Sequence, residues 1–531
     1  MVLLLAAGAA GAAPARDRAP TIVMPASHGT APWTLFAHAA DDDRRRDERI
    51  ASTYRWTLTD GQSEIDAVQG WNVAWTLDAP GTYEVVLDVI DSRGVAARAV
   101  RTVEVEPPDG RVRLVAPPGA GGDDPESPTS LAGIMATLVD GDVVLLPRGA
   151  MFDLTEPLTI NRSRVRLGAY GTGMAPVLRW IGDQITPFGI IEMTGDVSDV
   201  IVEDVVLRSV WAGERDGVRG VRPNGHGITV RRCAFRHVAD AVNSERVVER
   251  LLVQHCTAEG LAAYFAFGQG SDHVYLDNVV VGSIFEHNLR FVDCERFLVA
   301  RNELWNGPKS CIWMLRGRDG FAWANELHGG QLSIGPNHVA GAPADRFVGA
   351  GAVENVSMDL DIVGPAIQTR SGAEFVVIAG NVIWRDGDTA IGLAGYDEGL
   401  DRTSRAVRIV DNVAINMSEH GRFLDCGPGV SGVGVIGNTY LAPNLVTGSY
   451  RTAVLFVLDA DLRGFSAIGG NLWPIPSDAE WVPDAVHYLW PYWSEAAGYH
   501  TIEQWEVYPQ TGDDQYEVVS EQDVAGLIEP D

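Results

Sequence analysis

The sequence predicts an all-β fold in which a β-sandwich precedes a right-handed parallel β-helix. Short strands with alternating apolar residues, each closed by a turn signal, fill the first hundred residues. From about residue 200, short apolar strands repeat, and most end at an asparagine. The predicted organisation is a leader at 1–19, a sandwich at 20–106, a linker at 107–129, a β-helix at 130–475 and a C-terminal capping segment at 476–531.

The composition restricts the classes of partner. The 531 residues are enough for at least two domains. A formal charge of −30, from 41 Lys plus Arg against 71 Asp plus Glu, argues against nucleic acid as a partner. After the leader no apolar run approaches the roughly 20 residues that span a bilayer, so we expect no membrane insertion. We expect a monomer.

The leader reads MVLLLAAGAAGAAPA, a short apolar stretch that finishes in small residues. This pattern is typical of the apolar region of a signal peptide, and the alternative is a disordered Ala/Gly leader. A signal peptide implies a secreted or cell-surface protein, outside the cell or in the periplasm.

The sandwich prediction depends on strands such as Ser52–Thr59 and Thr82–Ile90 and on the turn at Asp60 and Gly61. These segments resemble polycystic-kidney-disease (PKD) repeats, although Thr57 and Thr59 depart from the usual pattern. The resemblance implies an immunoglobulin-like β-sandwich that acts as a spacer or a weak glycan binder. Because the linker that follows is rich in Pro, Gly and Asp, we expect few contacts between sandwich and β-helix.

The β-helix is predicted to begin with a cap. A helix over Ser130–Val139 is followed by strands at Gly141–Pro147, Pro157–Ile160 and Val165–Leu167. This order resembles the N-terminal end of pectate-lyase-type β-helices. A cap is needed because the first coil would otherwise expose a strand edge.

The repeat is the main evidence for the β-helix. Aligned apolar strands place the following residues at one position: Asp204, Cys233, Cys256, Asn278, Asn302, Asn325, Asn355, Asn381, Asn412, Asn438 and Asn471. The shortest intervals are 22 to 24 residues, and the longer ones carry loop insertions. Asparagines one coil apart are expected to stack their amides, about 4.8 Å apart. Cys233 and Cys256 share this column, so they form either a bridge or an unbonded thiol stack.

Counting from the repeat places a group of polar side chains on one outer face. The group consists of Glu286, His287, Arg290, Lys309, Trp313, Arg316, Gln368 and Arg370. Arg can hold a carboxylate through two hydrogen bonds, and Trp offers an apolar face to a sugar ring. The face is therefore predicted to bind an anionic polysaccharide. The alternative is a solvated surface on which these cations pair with acids such as Asp293.

The segment from Arg301 through Lys309-Ser310 and Arg316-Gly317 to Gly335-Pro336-Asn337-His338 carries a further resemblance. It is similar to a group of secreted bacterial β-helix proteins and, distantly, to the chondroitinase B and alginate lyase family. That resemblance implies β-elimination at a uronic acid, with an arginine that neutralises the carboxylate and with Lys309 or His287 as the base. It also places His338 among the substrate-binding residues.

Two other functions stay open. A glycoside hydrolase could use Glu286 with Asp293, Asp361 or Asp425 as its paired carboxylates. A non-catalytic glycan-binding or cell-surface protein is the alternative from another class, because β-helices support both kinds of function. No cofactor is required by the sequence, Ca²⁺ is a candidate without a defined site, and the metal ligands are unknown.

Overall fold

The computed structural model describes residues 20–40, 52–91, 94–120, 122, 129–336, 346–358, 364–385, 389–393, 403–445, 454–457, 465–474, 492–494, 498–500, 511–512 and 515–517. The chain forms two compact units. The first unit comprises residues 1–304 with 319–321, and the second comprises 305–318 with 322–531. The predicted leader lies outside the described residues.

The N-terminal domain is a two-sheet β-sandwich. Its strands are β1 Thr21–Val23, β2 His28–Thr30, β3 Trp33–Ala40, β4 Thr53–Thr59, β5 Glu64–Gln69, β6 Asn72–Leu77, β7 Gly81–Ile90 and β8 Ala96–Glu106. One sheet has the order β1-β3-β6 and the other β2-β8-β7-β4-β5. Trp56 is fully buried between them, and its indole N–H donates to the carbonyl of Gly70 at 2.9 Å. The predicted turn at Asp60 is confirmed, since its carboxylate accepts from the backbone N–H of Gln62 and Ser63.

The first unit continues as a parallel β-solenoid whose coils contribute to three sheets. Its elements are β9 Arg111–Leu114, α1 Leu131–Ala136, β10 Asp142–Pro147, β11 Met151–Leu154, β12 Leu158–Ile160, β13 Arg166–Tyr170, β14 Val177–Trp180, β15 Gly189–Met193, β16 Val197–Ser198, β17 Ile201–Glu203, β18 Val206–Ser209, β19 Arg219–Arg222, β20 Gly225–Arg231, β21 Ala234–Arg236, β22 Val242–Asn243, β23 Val248–Gln254, β24 Thr257–Leu261, β25 Ala266–Leu276, β26 Val279–Ser283 and β27 Leu289–Ala300. Strands β20, β23, β25 and β27 pair in parallel in one sheet. The N-terminal parts of β25 and β27 also follow β19 and β22 in a second sheet, and β18, β21, β24 and β26 form the third.

The second unit contains coils of the same kind. The strands from residue 303 onward are β28 Glu303–Trp305, β29 Ile312–Met314, β30 Gly317–Trp323, β31 Glu326–His328, β32 Leu332–Ile334, β33 Phe347–Val353, β34 Val356–Met358, β35 Ile367–Thr369, β36 Ala373–Ala379, β37 Val382–Arg385, β38 Thr389–Leu393, β39 Arg405–Val410, β40 Val413–Asn416, β41 Arg422–Cys426, β42 Val433–Ile436, β43 Thr439–Leu441, β44 Leu455–Val457, β45 Phe465–Gly469, β46 Leu472–Pro474, β47 Tyr492–Ser494, β48 Gly498–His500, β49 Thr511–Gly512 and β50 Gln515–Glu517. Here too β33, β36, β39 and β42 pair in parallel in one sheet, and β34, β37, β40 and β43 in another. The predicted parallel β-helix is confirmed.

The solenoid begins earlier than the sequence predicts. Strand β9 lies within the predicted linker, and it pairs in parallel with β10. Helix α1 caps this end as expected, and the hydroxyl of Ser130 accepts from the backbone N–H of Gly133 at 3.0 Å. In the predicted C-terminal segment, β50 pairs in parallel with β46. The described strands there extend the sheets of the solenoid.

Stacked asparagine amides connect successive coils in each unit. In the first unit, Asn278 donates from both its backbone N–H and its side-chain amide to Oδ1 of Asn302, at 3.0 and 2.8 Å. In the second, the same two bonds connect neighbours in the series Asn325, Asn355, Asn381, Asn412, Asn438 and Asn471. The predicted stack is therefore confirmed within each unit. The stack gives hydrogen-bond partners to buried amide groups, which would destabilise the fold if they had none.

The column ends in cysteines rather than in a disulfide. Cys233 and Cys256 occupy equivalent positions on neighbouring coils, just before β21 and β24, and both are buried free thiols. The backbone N–H of Cys256 donates to Oδ1 of Asn278 at 2.9 Å. The unbonded thiol stack is therefore the correct alternative.

The expectation of few contacts between sandwich and solenoid is wrong. Trp71 of the sandwich packs edge-on against Phe321, with ring centroids 5.4 Å apart, and both side chains are buried. Arg301 of the solenoid donates to both carboxylate oxygens of Asp66, at 2.8 and 3.1 Å. Other hydrogen-bonded pairs across this interface are Arg231 with Asp78, Thr34 with Thr229 and Asn72 with His273. The PKD-like sandwich is thus docked on the solenoid sheet formed by β20, β25 and β27.

Candidate functional site

Three polar side chains lie at equivalent positions on successive coils of the first unit. Asp240, Tyr264 and His287 each lie two residues before the start of the second-sheet strands β22, β25 and β27, which are in parallel register. All three residues therefore lie in the turns that lead into the second sheet. Because the strands that follow are in register, the three residues form one column across successive coils. We call Asp240, Tyr264, Glu286, His287 and Arg290 the turn cluster.

The centre of the turn cluster is the phenol of Tyr264. The guanidinium of Arg290 donates to its hydroxyl at 2.8 Å and lies 5.9 Å from the ring centroid. The imidazole of His287 stacks on the same ring, with centroids 6.4 Å apart and planes inclined by 8°. Burial is the main cause of a raised pKa for Tyr264, while Arg290 acts in the opposite direction. Tyr264 therefore remains a protonated phenol at neutral pH.

Carboxylates approach this centre from two sides. Glu286 is buried, its Oε2 lies 3.9 Å from Nε2 of His287, and its Oε1 accepts a hydrogen bond from Arg215. Asp240 accepts from the side-chain amide of Asn243 at 2.7 Å and from the backbone N–H of Tyr264 at 3.2 Å. Burial raises the pKa of Asp240. Nε of Arg219 lies 3.4 Å from Oδ2 of Asp240, so the site offers two buried carboxylates that are each paired with an arginine.

The remaining predicted residues lie in the second unit. Trp313, Ser333 and Gln368 occupy one column of parallel strands, as the sequence alignment predicts for Trp313 and Gln368. The amide of Gln368 donates to the hydroxyl of Ser333 at 2.8 Å. Lys309 is exposed, and Arg316 is half-buried.

Trp313 does not offer the open ring that the sequence suggests. Its side chain is 5% exposed, its indole N–H donates to the carbonyl of Gly335 at 3.0 Å, and the guanidinium of Arg370 lies 5.4 Å from the ring centroid. Burial lowers the pKa of Arg370. The ring is held against the next coil through Gly335 and is flanked by Arg370, so it is not an open face.

The structure thus brings Glu286, His287 and Arg290 together, and it places Lys309, Trp313, Arg316, Gln368 and Arg370 in the other unit. His338 lies outside the described residues. Sequence reasoning missed Asp240 and Tyr264. Both residues lie two positions before a strand, in the same column as His287. The strand alignment included Tyr264, but a tyrosine within an apolar segment does not stand out as a functional residue.

In the described ranges of the chain, neither a metal site nor a membrane span stands out. Among the residues that the structure describes, no three His, Cys, Asp or Glu side chains are grouped so that they could hold a metal ion. Calcium binding therefore stays a prediction without ligands. In the same part of the chain no helix is long and apolar enough to cross a membrane.

Comparison with known families identifies the N-terminal domain. Residues 18–106 match the family model of the PKD domain. The match covers the observed sandwich, so this domain is a PKD domain. No curated protein matches the sequence.

Several solved structures are similar to this chain, all at low sequence identity. The A-module of the mannuronan C-5 epimerase AlgE4 of Azotobacter vinelandii is 15% identical, with a TM-score of 0.40 over 60% of this chain and 86% of that one. The alginate lyase of Paenibacillus sp. FPU-7 is 11% identical, with a TM-score of 0.38 over 51% and 94%. The endo-xylogalacturonan hydrolase of Aspergillus tubingensis is 10% identical, with a TM-score of 0.42 over 67% and 98%. Likeness at this level does not transfer an activity.

Proposed function

We propose that this chain, a PKD domain docked on a parallel β-solenoid, is an exported enzyme that cleaves an acidic polysaccharide by β-elimination at a uronic acid. The observation that carries the proposal is the contact of Arg290 and His287 with one buried phenol, Tyr264. A cation, a base and a proton donor within one group are what elimination next to a carboxylate requires.

Each member of the group has a defined role in the proposed reaction. Arg290 binds the uronate carboxylate and stabilises the enolate-like charge that develops when the C5 proton leaves. His287 takes that proton, and the carboxylate of Glu286 stabilises the imidazolium that forms. The C4–O4 bond then breaks as the C4–C5 double bond forms, and Tyr264 gives its proton to the departing oxygen. Because burial raises the pKa of Tyr264, the phenol still holds its proton when the C4–O4 bond breaks.

His287 replaces Lys309 as the favoured base. A lysine serves as a base when burial or nearby cations disfavour its charged form. Lys309 is exposed, whereas His287 is 3% exposed and contacts Glu286 and Tyr264. The substrate-binding roles of Lys309, Arg316, Gln368 and Arg370 stay predictions for the second unit, and the proposed reaction does not depend on them.

A hydrolase is the second candidate, and Asp240 is the observation that favours it. Asp240 and Glu286 are two carboxylates whose charges both act on Tyr264. Burial raises the pKa of Asp240, as expected for a general acid, and Glu286 would act as base or nucleophile. In this alternative Arg290 binds the substrate without taking part in proton transfer.

One experiment separates the two reactions. The full-length protein is incubated with alginate, polygalacturonate and chondroitin sulfate, while absorbance at about 235 nm and new reducing ends are followed together. Elimination produces both signals in equal amounts, because each cut leaves one unsaturated sugar. Reducing ends without absorbance would replace the lyase by the hydrolase, and neither signal on any polymer would count against both.

A further inference from the structure

We infer that Trp211 forms a second carbohydrate subsite, a platform for a sugar unit that flanks the one held by the turn cluster. The inference rests on the proposed function, because it assigns another part of the same polysaccharide to a different surface. Trp211 lies in the loop between β18 and β19, and its side chain is 39% exposed.

Hydrogen bonds fix the indole in place. Its N–H donates to the carbonyl of Gly182 at 2.9 Å, and the backbone N–H of Trp211 donates to the hydroxyl of Ser209 at 3.0 Å. A ring whose polar edge is already bonded loses little conformational freedom when a ligand covers its face. The exposed part of Trp211 is therefore a preorganised apolar surface.

The loop that carries Trp211 is joined to the turn cluster. Arg215 of this loop donates a hydrogen bond to Glu286. A Cβ atom placed at Gly213 would lie 3.7 Å from Cδ1 of Ile284, two residues before Glu286. Trp211 and Arg215 are four positions apart in the sequence, which limits the distance between their Cα atoms to about 14 Å. One oligosaccharide can therefore span both surfaces.

The preceding coil adds to the same surface. Its loop is tied to the loop of Trp211 by a hydrogen bond from the backbone N–H of Thr186 to the carbonyl of Asp216, at 3.0 Å. It is also tied to the strands below, because Arg222 donates to the carbonyl of Pro187 at 2.6 Å. Exposed apolar side chains in these two loops include Ile181, Ile185, Phe188 and Val210, and the turn before Glu286 adds Ile284 and Phe285.

The composition of the loops favours a sugar over a protein partner. Exposed acids and amides alternate with the apolar side chains, namely Asp183 and Gln184 in one loop and Asp216 in the other. A protein interface would have a core depleted in charge. A sugar ring has an apolar face of C–H groups and hydroxyls at its rim, so it matches an indole bordered by hydrogen-bonding groups. This surface therefore fits a pyranose unit of the polysaccharide.

The test measures binding rather than turnover. Full-length wild type, Trp211→Ala and Trp211→Phe are titrated calorimetrically with alginate, polygalacturonate and chondroitin sulfate. The control is Trp323→Ala, a partly exposed tryptophan of the second unit whose N–H donates to Glu354. We expect Trp211→Ala to weaken binding about tenfold, while Trp211→Phe and the control stay within about twofold of wild type. Circular dichroism verifies that each variant is folded.

The outcomes distinguish this inference from the proposed reaction. If a polymer binds through Trp211 but is not cut, the lyase proposal fails and the subsite stands. If a polymer is cut but Trp211→Ala binds it as tightly as wild type does, only the subsite is overturned. The subsite is also overturned if no polymer binds. It is likewise overturned if sedimentation shows that Trp211→Ala abolishes self-association, because a second copy of the chain would then cover the indole.

Discussion

Replacing Asn381 by alanine tests how much the asparagine stack stabilises the solenoid. Its Oδ1 accepts from the backbone N–H and the side-chain amide of Asn355, and its own amide donates to Asn412 and to the carbonyl of Ala352. The side chain is fully buried, so water does not replace these partners. The variant leaves the backbone N–H of Asn355 without this acceptor and removes three further hydrogen bonds.

The expected loss of stability is about 4 kcal/mol. An orphaned buried N–H costs about 1–3 kcal/mol, and each of the other bonds contributes about 0.5–1.5 kcal/mol. The measurement is urea unfolding of the full-length protein followed by circular dichroism, compared with Asn161→Ala at an exposed position. The control should stay within about 0.5 kcal/mol of wild type. A loss below about 1 kcal/mol for Asn381→Ala would refute the view that the stack supports the fold.

Three further predictions concern the site, an internal histidine and the sandwich. Tyr264→Phe should lower kcat about 100- to 10,000-fold, since it removes the proton donor; KM should change less, because the variant removes the hydroxyl to which Arg290 donates but keeps the guanidinium charge. An unchanged kcat would exclude that role. His273 is fully buried, and burial lowers its pKa from 6.5 to about 4. Between pH 6.5 and pH 4 the native state therefore binds fewer protons than the unfolded state. The free energy of unfolding should fall by up to about 3 kcal/mol as the pH drops through this range. His273→Gln should therefore lose less stability than wild type over this pH range. The measurement is the midpoint of urea unfolding as a function of pH, and identical curves for variant and wild type would contradict the prediction. Deleting residues 20–106 should lower the thermal midpoint of the solenoid, because Phe321 and Arg301 lose their partners; an unchanged midpoint would restore the independent-domain interpretation.

The solenoid could be predicted from sequence because its physical requirement repeats. Most coils satisfy the bend with an asparagine, and residues such as Asn278 and Asn412, at the same position after successive apolar strands, reveal that requirement. The docking of the sandwich could not be predicted in this way. The ion pair of Arg301 with Asp66 joins residues 235 positions apart, and no periodicity marks such a pair.

The candidate site was predictable only in part. His287 and Arg290 carry charge or titrate, so they stand out in a column of apolar strands. Tyr264 lies between Ala263 and Phe265 and has the pattern of a core residue, and only its contact with Arg290 identifies it. Trp313 shows the opposite error, because an aromatic residue at an outward position can still be buried against residues of the following coils.

The central claim is that the turn cluster, rather than Lys309, performs the chemistry. The most direct measurement compares the initial rates of His287→Ala and Lys309→Ala on a polymer that the wild type cleaves, with absorbance at about 235 nm as the readout. His255→Ala, at a half-exposed histidine, controls for the substitution itself. We predict a loss of about 100-fold or more for His287→Ala and a change within a few-fold for Lys309→Ala. Loss of turnover in Lys309→Ala with near-normal rates in His287→Ala would contradict the account.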